Sequence, residues 1–205
     1  MTVTAPRKTL QKAAPKPYHH GNLRESLLAA ADAVLTEQGA LGITLRDVAK
    51  AAGVSHAAPY HHFASLNDLL AAVAERAFIT LGDAVEQASD VKDTRERLLR
   101  ISEAYVGCAR ARPAQFRLMF GPLLTHKNEY PGLKAAAERA FGFVLAAACA
   151  HDPQRGPELA LTGWSLAHGL SNLMIDGAFD NLPMKVDNPD GLARQLALRA
   201  MGEAP

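Results

Sequence analysis

The chain is 205 residues long, 48% hydrophobic, 21% charged and only 6% aromatic, with a formal net charge of +1. That length suits one compact domain or a small module fused to a larger one, and the apolar share is too high for a disordered chain. The longest apolar run of the second half, Ala140 to Ala150, is eleven residues, whereas a bilayer span needs ~20, so a membrane-embedded protein is not expected.

Residues 1–20 hold Arg7, Lys8, Lys12 and Lys16 and no acid, interrupted by Pro6, Pro15 and Pro17. This reads as a flexible basic arm suited to phosphates, or as a plain solubilising tail. The stretch has no apolar signal core, and the two cysteines, Cys108 and Cys149, cannot build a disulfide framework. A cytoplasmic location is expected.

From Asn22 onward apolar residues recur at helical spacing, and no stretch alternates as a strand would. The fold expected is all-α, with about nine helices. Four start signals pair a capping side chain with an acid three residues on: Asn22 with Glu25, Thr44 with Asp47, Ser65 with Asp68, and Asp93 with Glu96. The predicted helices cover 23–38, closed by Gly39; 45–52, closed by Gly53; 56–62; 66–88; 94–112; and 113–120, stopped by Gly121-Pro122. After a loop they cover 132–150 and 157–179, the latter ended by Asn181-Leu182-Pro183. Asn188 caps the last, with Pro189 at its first position, where the missing N–H costs nothing.

Segment 44–63 reads as helix, tight turn, helix. Gly53 sits where the chain needs a left-handed backbone, and Ser55 is placed to cap the second helix. Val48, Ala52, Val54 and Phe63 supply an inner apolar face, leaving Ser55, His56, Ala57, Tyr60, His61 and His62 outside. A short second helix of this kind lays its N-terminal residues on base edges in a major groove. Tyrosine and histidine donate to phosphates or bases, and Ala57 suits a thymine methyl. The competing reading is a helix–turn–helix without nucleic acid, with Tyr60 and Phe63 as core.

The remainder holds most of the bulky apolar side chains. Tyr105, Phe116, Leu118, Met119, Phe120, Leu123, Phe141, Phe143, Trp164 and Met174 either line a cavity between helices or simply pack as core. Trp164 and His168 are four apart and share a helix face, so His168 either faces a ligand or is a satisfied structural histidine. Gly163 and Gly169 on the same helix suggest close approach of another backbone. No nucleophile elbow, phosphate loop or zinc-protease motif occurs, so no catalytic residue is expected. Cys149 and His151 lack a third ligand, so no metal or other cofactor is expected.

These residues carry a family resemblance. Segment 22–75 resembles the DNA-binding domain of TetR/AcrR-type transcriptional regulators, through the first helix to Gln38-Gly39, Ile43-Thr44-Leu45-Arg46-Asp47-Val48-Ala49, Gly53-Val54-Ser55, Tyr60-His61-His62-Phe63 and Asn67-Asp68-Leu69-Leu70. Tyr18-His19-His20-Gly21-Asn22-Leu23-Arg24 resembles the lead-in of one branch, and Trp164-Ser165-Leu166-Ala167-His168-Gly169 is similar to that branch's Trp-His-Gly signature. The chain departs from many relatives at Leu66, where they carry a phosphate-binding lysine. Asn67 or the basic arm would then have to compensate. Pro59 falls within the first turns of the third helix, as it often does in that branch.

The resemblance implies an arm over 1–20, a DNA-binding domain over 21–66 and an effector-binding and dimerisation domain over 67–205. It places Thr44 and Arg46 near phosphates, Ser55, His56 and Ala57 on bases, Tyr60 and His62 on the backbone, and His61 at the groove. It assigns ligand contacts first to Phe116, Met119, Phe120, Trp164 and His168, then to Tyr105, Leu123 and Phe141. It assigns a dimer seam to the last two predicted helices, through Leu166, Leu170, Leu173, Leu192, Leu196 and Arg199. The function implied is a homodimeric, effector-released repressor on a palindromic operator, with double-stranded DNA and a small molecule as partners. Leu66 and the acid-leaning segment 21–63 motivate an alternative, a protein-interaction module that has lost DNA. A third reading is a small-molecule-binding protein or enzyme with a vestigial DNA domain.

Overall fold

The computed structural model describes residues 23–39, 42–181 and 188–202. The arm over 1–20, the cap at Asn22 and the stop at Leu182-Pro183 lie outside the described residues. Among those described are eight α-helices and three short 3-10 turns, with no strand. The helices are α1 (Leu23–Gln38), α2 (Leu45–Ala51), α3 (Leu66–Ala88), α4 (Thr94–Ala111), α5 (Pro113–Phe120), α6 (Pro131–His151), α7 (Gly156–Ile175) and α8 (Pro189–Ala200).

The start signals act as their chemistry requires. Thr44 and Ser65 each accept the backbone N–H three residues on, while Asp47 and Asp68 return the bond to the cap N–H. Asp93 accepts from the Glu96 N–H, and Asn188 from that of Gly191. Gly39 and Gly53 take φ of +73° and +69°, conformations that a side chain resists.

Two expectations need correction. The third helix, expected over 56–62, is a single 3-10 turn, Ala58–His61. Pro59 has no N–H to return to Ser55, so the Ser55 carbonyl takes the Ala58 N–H instead, at 3.0 Å. The cap position falls to Ala57, without a side-chain bond, so Ser55 does not fill it. The eighth predicted helix is expected to reach 179; α7 stops at Ile175, because Gly177 turns to φ +65° before another 3-10 turn, Ala178–Asn181.

No close backbone approach occurs within the chain at Gly163 or Gly169. A Cβ on either would meet nothing within 4 Å. At Gly156 it would stand 2.5 Å from the Cys149 sulfur, so this glycine lets the start of α7 fold back against α6.

A continuous apolar core runs from Leu27 of α1 through α3 to Ala193 of α8. α3 packs on both α1 and α6, so the 23-residue helix belongs to both ends of the molecule. The boundary expected at 66/67 falls at its N-terminus. Arg139 of α6 grips α3 from outside, bonding Asp83 at 2.8 Å and Glu86 at 2.6 Å.

Candidate nucleic-acid interface and effector cavity

α2 buries Leu45, Val48 and Ala49 and leaves Thr44, Arg46 and Lys50 exposed. The following turn buries Pro59 and Phe63 and exposes Ser55, His56, Ala57, Tyr60, His61 and His62. All eight residues expected at DNA are therefore on the surface. Tyr60 is 62% exposed, which a core role for this ring would not allow. Lys50 was missed, although it stands one helical turn after Arg46 on the same outward edge. The Thr44 hydroxyl bond to Asp47 holds that carboxyl below its ordinary range, and the charge sits against the positive end of α2.

Asn67 cannot stand in for the missing lysine. Its amide nitrogen donates to the Thr125 carbonyl at 3.0 Å and to the Tyr130 hydroxyl at 2.9 Å, and Tyr130 in turn donates to Asp68. The α5–α6 loop is thereby strapped to the start of α3. Lys127 closes the loop from the other side, donating to the carbonyls of Met119 and Gly121.

Between α3, α4, α5, α6 and α7 lies an apolar cavity of about 380 Å³. Phe78, Tyr105, Phe120, Phe141 and Trp164 form much of its wall. Four of the expected ligand residues, Tyr105, Phe120, Phe141 and Trp164, meet there. Phe116 and Met119 instead border a neighbouring space of about 170 Å³ with Leu81 and Cys108. Leu123 is half-buried against the core and lines neither. Phe78, Leu81 and Val85 of α3 and Ala137 of α6 were missed. Their apolar spacing reads only as core, and nothing in it marks a gap.

His168 stands behind this wall. Trp164 donates its indole N–H to the Tyr105 oxygen at 3.1 Å, and the Tyr105 hydroxyl lies 2.9 Å from His168 Nδ1. The Trp164 and Tyr105 protons both have partners if Tyr105 donates to Nδ1 and His168 keeps its own proton on Nε2. The imidazole also packs at 4.6 Å and 5.2 Å, centroid to centroid, from the rings of Phe120 and Phe116. Burial holds His168 below the usual imidazole range and pushes the Tyr105 phenol up.

Of the residues expected at a dimer seam, Leu170 is only 3% exposed and turns into the core of its own chain. Leu166, Leu192 and Leu196 are half-buried, and Leu173 and Arg199 are exposed. His151 lies 3.1 Å from the Thr94 hydroxyl, and no group of three metal-binding side chains occurs among the described residues. No helix among them is long and apolar enough to cross a membrane.

An exposed helix–turn–helix joined through a shared helix to an all-helical domain with an apolar cavity defines a class of helical regulatory protein. Residues 27–73 match the family profile described as bacterial regulatory proteins, tetR family. Residues 98–199 match that of the tetracyclin repressor-like C-terminal domain. The chain belongs to the TetR family of transcriptional regulators, which are not enzymes. It is 31% identical over 111 residues to the HTH-type transcriptional regulator Rv1816 of Mycobacterium tuberculosis, a match covering 53% of this chain and 45% of that one. The chain thus spans about half the length of the curated relatives it matches. A solved protein of unknown function from Rhodococcus sp. RHA1 is 29% identical, with a TM-score of 0.75 over 93% of this chain and 100% of that one. The TetR family transcriptional regulator PfmR of Thermus thermophilus is 26% identical, with a TM-score of 0.62 over 87% and 98%.

Proposed function

We propose that the chain is an effector-responsive repressor that binds a palindromic operator as a homodimer. The observation that carries this reading is a continuous mechanical connection between the exposed turn and the cavity. Phe120 of α5 stands in the cavity wall. On the same helix, Gln115 reaches across to α1, donating to Asp32 at 2.9 Å and to Thr36 at 3.0 Å. Beyond its C-terminus, the strapped loop meets α3 at Asn67 and Asp68, just after the turn that carries Tyr60. A molecule that moves Phe120 therefore pulls on both sides of the DNA-binding end.

Release requires that the effector bind the DNA-incompetent arrangement more tightly, and operator DNA must then weaken effector binding by the same factor. Leu161, Ser165, Gly169 and Leu173 recur every fourth residue on the outward side of α7, and all are exposed. Open space at Gly169 suits the approach of a second helix, and a two-fold pairing there would set two reading turns on successive major grooves. Repression, as opposed to activation, follows the habit of the family.

The test is selection of binding sites from random duplex DNA by the purified protein at two salt concentrations. An enriched palindrome whose binding weakens steeply with salt is expected. No enrichment at low salt, from a folded dimer, would overturn the reading and leave a helix–turn–helix used for protein contacts.

A further inference from the structure

We propose that the cavity beside Trp164 takes an uncharged lipophilic molecule of about a dozen non-hydrogen atoms, and excludes carboxylates; this rests on the effector role given above. The size follows from about 380 Å³ of space at roughly 30 Å³ per non-hydrogen atom, the share of a water molecule in the liquid. The chemistry follows from the wall. Phe78, Phe120, Phe141 and Trp164 offer carbon surface, with Leu81 and Ala137 between them. The Trp164 N–H is already spent on Tyr105, and the Tyr105 hydroxyl is engaged with His168. Among the described residues the wall therefore holds out no free N–H to an anion.

A carboxylate placed there would lose its water and find no donor, a cost that usually neutralises or expels the group. Glu138, the one acidic residue on the boundary, opposes an anion further, while its own carboxylate faces Lys134 at 3.7 Å. Burial keeps His168 uncharged at neutral pH, so no cation arises behind the wall to hold an acid. A neutral alcohol, ketone or arene gains from burial without these losses.

Trp164 is the single tryptophan of the chain and stands in the wall, so its emission reports occupancy directly. The experiment titrates the full chain with 1-decanol below its solubility limit and with decanoate below its micellar concentration, and confirms saturable binding by calorimetry. Decanol should change Trp164 emission saturably and bind at least about tenfold more tightly than decanoate, a difference of about 1.4 kcal/mol. Ala137→Phe, which fills the space, should abolish the change while the protein melts as before. Phe141→Ala, which enlarges it, should shift the preference from decanol to dodecanol. Binding of decanoate as tight as decanol overturns the proposal, as does the absence of binding by both. No DNA enters this assay, so its failure is distinct from failure of the operator reading, which site selection tests alone.

Discussion

Gln115 of α5, 4% exposed, donates its side-chain amide to the carboxylate of Asp32 on α1 across 2.9 Å. Few groups this deeply buried are polar here, and this one ties the helix carrying Phe120 to the first helix of the DNA-binding end. Gln115→Leu keeps the volume but leaves Asp32 without this donor. Stability should fall by about 1.5–3 kcal/mol, the net worth of a hydrogen bond to a charged group, read by urea unfolding. Operator affinity should survive, while the ratio of affinities with and without effector shrinks toward one. An unchanged ratio would remove Gln115 from the coupling.

Tyr60 and Arg46 should separate binding from folding. Both are exposed, so Tyr60→Ala and Arg46→Ala should each change stability by no more than about 0.5 kcal/mol. Arg46→Ala should lower the slope of log affinity against log salt by about one, as expected for a lost phosphate contact. Tyr60→Ala should weaken operator binding by about tenfold or more. Fluorescence anisotropy over a salt series measures both.

The pH dependence of stability should carry a mark of His168. Burial depresses its folded pKa, whereas the unfolded chain takes up this proton near the ordinary ~6.5. The unfolded state then binds more protons, so this contribution is full above that value and is lost as pH falls below it. His168→Asn keeps an acceptor near Tyr105 without a titrating ring. The fall in Tm from pH 7 to pH 5 should be smaller in the variant, and equal slopes would contradict the assignment.

Two glycines on one helix should respond in opposite ways to the same methyl group. Gly156→Ala drives a carbon into Cys149 and should cost about 1–3 kcal/mol by overpacking. Gly169→Ala meets open space within the chain, and alanine favours the helix by up to about 1 kcal/mol. If α7 pairs with a second copy, the same change should weaken the dimer, seen by sedimentation as a rise in dissociation constant. A chain that is stabilised and dimerises as before would move the seam away from Gly169.

Much of this architecture is readable from residues whose local chemistry admits one outcome. α1 runs from Leu23 to Gln38 as expected, because its apolar spacing and the glycine at its end depend only on near neighbours. The same holds for the paired caps at Thr44 and Ser65. The recognition turn was less legible, since proline at position 59 leaves a choice between a distorted helix and a 3-10 turn, and neighbouring carbonyls decide it. Tyr105, Phe120, Phe141 and Trp164 are cavity candidates for their bulk, and they stand in its wall. Phe78 and Ala137 are not such candidates, because the cavity is made by where α3 and α6 part, and that separation is written in no single segment. Asn67 was misread for a related reason: its partners, Thr125 and Tyr130, lie some 60 residues away.

The core that begins at Leu27 and ends at Ala193 has no seam across α3. The two ends therefore do not behave as interchangeable parts. Heating should melt them in one cooperative step, with a single calorimetric transition. A hybrid carrying the first two helices of a relative would have to import the facing side of α3 with them. Diversification of the reading turn is free of that constraint, since its outward side chains touch nothing in the interior, whereas any change along α3 is felt at both the DNA surface and the cavity.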